Sequence, residues 1–162
     1  MELDIDNRNE KFAAAVESLK ETLEFNGLSL SEWVTKLLVD MEDMPTSIFD
    51  IDMATLYKMV NDIEGKLVIA NNNFFLADSL YNLYKTQYNQ KYRKELIDSS
   101  ASAKRSISLN ETVAQKASHE QENDMMCAEI IKNFFHEQRN NLIGQQKHVQ
   151  NVFWLLKAHR GD

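Results

Sequence analysis

The chain has 162 residues and a formal net charge of −7, which bounds it to one domain, or to one domain with an appendage. Its 4 glycines and single proline leave long stretches without turn residues, so we predict a nearly all-helical, all-α fold. The single cysteine excludes an intramolecular disulfide framework and a cysteine-based zinc site.

The same features suggest a compartment. One free cysteine fits a reducing cytoplasm. The acidic N-terminus lacks the apolar region of a signal peptide. No stretch approaches the roughly 18 apolar residues of a membrane span, so we expect a cytoplasmic protein that does not contact a membrane.

Charge is divided unevenly along the chain. Residues 1–64 carry 15 acidic and 5 basic side chains, whereas residues 65–162 carry 10 acidic and 13 basic ones. Such a division accompanies the binding of charged partners, although solvated helix faces give the same pattern.

The first 50 residues are predicted to form an acidic segment of two short helices. Apolar residues recur at helical spacing from Asn9 to Phe25, and Asn26-Gly27 supplies the residue type that commonly follows a helix. Ser29-Leu-Ser-Glu32 has the spacing of a capping box for a second helix, whose apolar face contains Trp33 and Leu37. We expect this pair to pack on the rest of the protein or to dock a partner protein.

A strict seven-residue repeat organises the next stretch, which we predict to be one continuous helix from Ala54 to Leu96, with an N-cap available in Asp50-Ile-Asp52. Its apolar positions alternate in steps of 4 and 3, as in a helix that keeps one face against a partner helix. Gly65 and Asn71-Asn72-Asn73 are weak helix formers, but the repeat passes through both without a slip. The repeat positions are Leu56, Val60, Ile63, Leu67, Ala70, Phe74, Ala77, Tyr81, Tyr84 and Tyr88.

Residues 51–162 as a whole are predicted to form a long antiparallel helical hairpin with coiled-coil-like packing. The serine- and alanine-rich stretch from Ile97 to Ser108 is the predicted loop, and Ser108-Leu-Asn-Glu111 is a predicted capping box. The last helix then runs from Leu109 to about Ala158. Its C-terminal part recovers an apolar seam, but its middle, from Gln115 to Asp124, is polar.

Self-association through the long helix is also predicted. The polar middle of the last helix cannot cover the whole apolar seam within one chain, and burying the excess against a second copy would stabilise a homo-oligomer. The residues predicted to form this interface are Leu67, Phe74, Phe75 and Ala77.

The sequence contains no pattern for catalysis, a cofactor or a metal. Its four scattered glycines make no phosphate-binding loop. Neither His119-Glu120 nor His136-Glu137 is followed by the second histidine of a helical zinc-protease motif. Cys127 falls on the apolar seam and is most simply a small core residue. We therefore expect a protein that is not an enzyme.

Tyrosines and basic residues are combined at the end of the long helix. Six basic and two acidic residues lie between Lys85 and Arg105. Cations neutralise phosphates and aromatic rings stack on bases without regard to sequence, so the combination favours single-stranded nucleic acid. The alternative is that the tyrosines on the seam are core residues. The candidate nucleic-acid-binding residues are Lys85, Tyr88, Lys91, Tyr92, Arg93, Lys94, Lys104 and Arg105.

The layout of residues 54–158 resembles the UvsY family of phage recombination mediators. The similar parts are Lys91-Tyr92-Arg93 at the end of a long helix, Asn110-Glu111 at a helix start, and the apolar run from Val152 to Lys157. The family's Tyr-Tyr-x-Gly element after the basic pair is missing. The resemblance implies a ring-forming helical protein that binds single-stranded DNA and helps to load a recombinase, in the host cytoplasm if a phage encodes it.

Two other functions stay open at this point. The acidic residues 1–64 suit an inhibitor or adaptor of phage type, which would compete for a basic, nucleic-acid-binding host or phage protein. The seven-residue repeat also suits a structural coiled-coil protein.

Overall fold

The computed structural model describes residues 3–19, 24–25, 28–29, 52–102 and 106–160. These ranges are helical apart from one short strand pair, which confirms the predicted fold class. The elements are α1 (Leu3–Ser18), β1 (Glu24–Phe25), β2 (Leu28–Ser29), α2 (Met53–Ser102), α3 (Ile107–Ala117) and α4 (His119–Arg160).

The N-terminal part differs from the helix predicted to reach Phe25. α1 ends at Ser18, and β1 then pairs antiparallel with β2, so that Phe25 lies opposite Leu28. The prediction of a helix up to Phe25 was wrong because α1 ends at Ser18 and residues 24–25 form a strand. Asn26-Gly27, the predicted helix end, lies outside the described residues. Trp33 and the rest of the predicted second helix lie outside the described residues.

α2 is one continuous helix, as the seven-residue repeat predicts. Its N-cap is Asp52: the Oδ1 atom accepts a hydrogen bond from the Thr55 backbone N–H at 2.8 Å, and Oδ2 accepts one from the Thr55 hydroxyl at 2.8 Å. The predicted cap is therefore confirmed, and it satisfies one of the free N–H groups of the first turn.

Gly65 lies inside α2, where an added Cβ atom would have no heavy atom within 4 Å apart from the adjoining residues and the neighbouring backbone of the helix itself. Glycine destabilises a helix interior because it has the most backbone freedom to lose. We expect Gly65→Ala to increase the free energy of unfolding by about 0.5–1 kcal/mol, measured by chemical denaturation. Gly144 in α4 has equally open surroundings, so Gly144→Ala should give the same gain. A loss of stability in both variants would contradict a helix with free space at these positions.

The predicted loop from Ile97 to Ser108 is wrong for residues 97–102, where α2 continues, and for residues 107–108, which belong to α3. Two serines of the last turns donate their hydroxyls to the Leu96 carbonyl, Ser99 at 3.1 Å and Ser100 at 2.7 Å. These side chains use a helical carbonyl as their acceptor, so serine content alone did not indicate a loop here.

α3 begins after Ser106, and not at the predicted capping box of Ser108. The Ser106 side-chain oxygen accepts a hydrogen bond from the Leu109 backbone N–H at 3.4 Å. Because Ser106 keeps an extended backbone at φ −64° and ψ 153°, it is the N-cap of this helix.

The single last helix of the prediction is divided in two at Ser118. The Ser118 backbone N–H donates to the Ala114 carbonyl at 3.0 Å, and the Ser118 hydroxyl donates to the same oxygen at 2.8 Å. Ser118 is buried, so these bonds satisfy polar groups that are shielded from water. The break falls inside the polar stretch from Gln115 to Asp124, where the sequence pattern is weakest.

The chain forms two compact units, one of Met1–Thr22 with Leu76–Phe134 and one of Leu23–Phe75 with Phe135–Asp162. Each unit combines residues from both sides of position 50, where the sequence suggests a boundary between an acidic segment and a hairpin domain. That domain boundary stays a prediction.

In the first unit, α1 and α2 both contact α4. The Phe12 and Phe134 rings lie 4.1 Å apart. Lys132 of α4 places its Nζ atom 2.7 Å from Asp78 Oδ1 of α2. The buried apolar residues of this unit include Ala77, Ala114, Ala128 and Ile131.

In the second unit, the first half of α2 packs antiparallel to the end of α4. Tyr57 contacts Phe153, with ring centroids 5.6 Å apart, and Phe74 contacts His136 at 5.2 Å. The core cluster of this unit contains Leu56, Ile63, Val149, Val152 and Leu156.

The two apolar seams predicted from the sequence are confirmed as packing faces. All ten repeat positions of α2 are buried or half-buried, and the four most enclosed ones follow each other at intervals of seven. These four are Leu56, Ile63, Ala70 and Ala77. Six buried residues of α4 lie on the other seam, and they are Ile131, Phe134, Leu142, Val149, Val152 and Leu156.

Candidate nucleic-acid interface

The candidate surface occupies about three turns of α2 within the first unit. We call it the α2 cationic surface, and its members are Lys85, Tyr88, Lys91, Tyr92, Arg93 and Lys94. The remaining two candidates, Lys104 and Arg105, lie outside the described residues.

Tyr88 and Tyr92 form a ring pair one helical turn apart. Their centroids are separated by 6.0 Å and the ring planes are tilted by 33°. Both side chains are half-buried. The sequence left open whether these tyrosines are core residues or contact surface, and the structure shows an intermediate arrangement in which part of each ring is open to solvent.

Tyr81, one turn earlier on the seam, is engaged within the protein. The Lys85 amine lies 5.5 Å from its ring centroid, and the Lys132 amine lies 4.6 Å from it. Amines over an aromatic ring make favourable cation–π contacts. The ring of Tyr81 is thus flanked by cations of its own chain and is not part of the surface.

The cations of the surface differ in how they are engaged. Lys91 Nζ lies 2.8 Å from Glu95 Oε1. This hydrogen bond, together with the opposite charge, raises the pKa of Lys91 and lowers the pKa of Glu95. Arg93 and Lys94 are exposed, and within the described part of the chain neither makes an ion pair. Their charges are therefore the most available for a ligand.

Negative charge borders the surface on the side of α4. The pKa of Tyr88 is raised by burial, then by the charge of Glu122 and by Tyr92. The pKa of Asp124 is raised by burial and by Glu120. The acidic start of α4 would repel phosphates near Tyr88, so a bound strand would follow the side of α2 that carries Arg93 and Lys94.

The four predicted interface residues fall into different environments. Leu67 and Phe74 are half-buried, and the Phe74 ring lies 5.2 Å from the guanidinium carbon of Arg139 in its own chain. Ala77 is 0% exposed, so its side chain offers no surface to a second copy in this structure. Phe75 is 62% exposed and is the residue of this set with an open ring.

A second basic stretch was not singled out by the sequence analysis. From Gln138 to Arg160 the chain has four basic residues and no acidic one. The sequence signal for it is the absence of acidic side chains from this whole stretch.

Within the described residues, no group of three or more histidine, cysteine or acidic side chains is arranged to hold a metal ion. No helix in the described ranges is long and apolar enough to cross a membrane.

Comparison of the chain with protein-family models, with curated proteins and with solved structures finds no match. The resemblance to recombination mediators stays a prediction.

Proposed function

We propose that the protein binds single-stranded DNA through the α2 cationic surface. The observation that carries this proposal is that two exposed cations, Arg93 and Lys94, directly follow the half-buried Tyr88–Tyr92 pair along α2. The cations would neutralise phosphates and release counterions. The open parts of the rings would contact bases, which are accessible for stacking only when the strand is single.

The binding expected from this surface depends strongly on salt and little on sequence. Phosphate contacts position a strand but carry no sequence information. Stacking is tolerant of sequence because every base has a π-face. We further propose that the protein acts in recombination by assisting a recombinase to load onto the strand, as the resemblance to mediators implies.

An oligomer would multiply a site that is weak in one copy. Linking several such sites increases the overall affinity without any new contact. We propose that α2 and α4 form one antiparallel hairpin, and that copies associate through exposed apolar residues on α2 in the second unit. These residues are Val68, Ile69 and Phe75.

Replacing Phe75 by lysine tests the proposed association. Burial of an unpaired charge is costly, so Phe75→Lys should shift the protein from oligomer to monomer. Sedimentation velocity at micromolar concentration measures the shift. The matched control is Asn61→Lys, which adds the same charge at an exposed position of α2. A wild-type protein that sediments as a monomer would overturn the oligomer.

Replacing Glu95 by glutamine tests whether Lys91 belongs to the site. Glu95 competes with a phosphate for the Lys91 amine. We expect Glu95→Gln to bind a single-stranded oligonucleotide about two- to fivefold more tightly at low salt, as removal of an exposed ion pair allows. Fluorescence anisotropy measures the affinity, and Glu17→Gln on α1 gives the same change in net charge elsewhere. Equal gains in both variants would show a general charge effect and would remove Lys91 from the site.

The direct test of DNA binding is anisotropy of a labelled single-stranded oligonucleotide at low salt with the full-length protein. Binding that weakens steeply with added salt is expected. No binding would overturn the proposal and would favour a role for the acidic residues 1–64 in binding a protein.

A further inference from the structure

The C-terminal part of α4 has a basic outer face. Its apolar residues, among them Leu142, Val149 and Val152, are buried in the second unit. Lys147 and Lys157 are exposed. Because no acidic residue lies between Gln138 and Arg160, nothing on this part of the helix offsets their charge.

Trp154 stands on the same outer face. It is 63% exposed, although tryptophan is a large and mostly apolar side chain. The Lys157 amine lies 5.8 Å from the ring centroid. Phe153 meets the ring at 5.7 Å with an interplanar angle of 81°, in an edge-to-face contact. The ring is therefore supported by neighbours while most of its surface stays open.

Phe153, which contacts the Trp154 ring, is itself packed against the core of the second unit. Phe153 also contacts Tyr57 of α2, with centroids 5.6 Å apart and an angle of 67°. Phe153 is half-buried and packs against the core cluster. A ring held in this way loses little conformational entropy when a ligand stacks on it, which favours binding.

We propose that this face of α4 is a second single-strand-binding surface, in which a base stacks on Trp154 and phosphates contact Lys147 and Lys157. Lys147 and Trp154 are seven residues apart, so both project from one side of the helix at a separation of about 10 Å along its axis. Aromatic stacking beside cations is the combination that single strands require.

A membrane surface fits this face less well. An interfacial helix inserts a broad apolar face, and the apolar face of α4 is already buried against α2. The outer face presents Gln150 and Asn151 between its cations. Trp154 and Leu155 are too few to insert, but they suffice to stack on a base and to shield its edge.

This inference goes beyond the proposed function, because the face of α4 lies in the second unit, uses other residues, and does not require the α2 cationic surface to bind.

The protein has two tryptophans. In a Trp33→Phe background, Trp154 is the only one, and its emission reports directly on this face. Titration with a single-stranded oligothymidylate should quench that emission in parallel with the rise in anisotropy.

Variants of the full-length protein provide the second measurement. Trp154→Ala should lose about fivefold or more in affinity for the oligonucleotide, since stacking contributes about 1–3 kcal/mol per base, whereas Trp154→Phe should lose less. Lys147→Gln and Lys157→Gln should each reduce the slope of log affinity against log salt by about 0.7. The matched control is Lys11→Gln, an exposed cation on α1.

Binding that leaves the Trp154 emission unchanged would overturn this inference, and the proposal for α2 would still stand. An emission change with anionic vesicles but not with the oligonucleotide would also overturn it, in favour of a membrane. If Trp33→Phe fails to fold, equal affinities of wild type, Trp154→Ala and Trp154→Phe would be the contradicting result.

Discussion

Replacing Phe135 by alanine is expected to destabilise the protein by about 3–5 kcal/mol, a large part of the stability of a small domain. The Phe135 side chain is 0% exposed. Its removal would leave a cavity that the rigid helices around it can fill only in part. Urea denaturation followed by circular dichroism measures the loss.

Phe75 provides the matched control for this prediction, because it undergoes the same chemical change at an exposed position. Phe75→Ala removes an equally large ring, yet we expect it to change the stability by less than about 1 kcal/mol in dilute solution, where copies do not associate. Equal losses in the two variants would contradict the packing of α4 described above.

Reversing the charges of Arg93 and Lys94 is expected to have the largest effect on function. The double variant Arg93→Glu/Lys94→Glu replaces the two cations that we propose to bind phosphates by groups that repel phosphate. We expect its affinity for single-stranded DNA to fall at least tenfold at low salt, that is, by roughly 1.4 kcal/mol or more. Anisotropy with a labelled oligonucleotide measures the loss.

The control for the charge reversal is Lys11→Glu/Lys116→Glu, which changes the net charge equally at two exposed positions of the same unit. A similar loss of affinity in the control would show that overall charge, and not the α2 cationic surface, determines binding. Both variants should keep the helical content of the wild type, since all four residues are exposed.

The long helix could be predicted from the sequence because the seven-residue apolar repeat that indicates it recurs along most of its length. Ten positions in steps of 4 and 3 specify one face, and that face is the one enclosed in the structure. A single weak helix former such as Gly65 costs only about 1 kcal/mol, which the packing of so many residues outweighs. The exposed charged residues of α2 could also be predicted from this repeat, because they occupy positions outside the apolar face.

Short local signals were less informative, because one residue pattern suits two structures. Residues 24–25 end a run with helical spacing, yet they pair with β2 as a strand. Serines that suggest a loop can instead bond to helical carbonyls, as Ser100 does.

The sequence also did not indicate which polar residues are buried. Asn73 is 0% exposed, and neither its Oδ1 nor its Nδ2 atom has a hydrogen-bond partner among the described residues. In the sequence it is only one of three consecutive asparagines. A buried amide weakens helix packing, but it can fix the register of paired helices.

The most direct test of the central claim is the salt dependence of single-stranded DNA binding by the wild type and by Arg93→Gln/Lys94→Gln. Each phosphate contact to a single strand contributes about −0.7 to the slope of log affinity against log salt. Loss of two contacts should therefore flatten the slope by about 1.4. Equal slopes for the two proteins, or a wild type that does not bind at low salt, would contradict DNA binding through the α2 cationic surface.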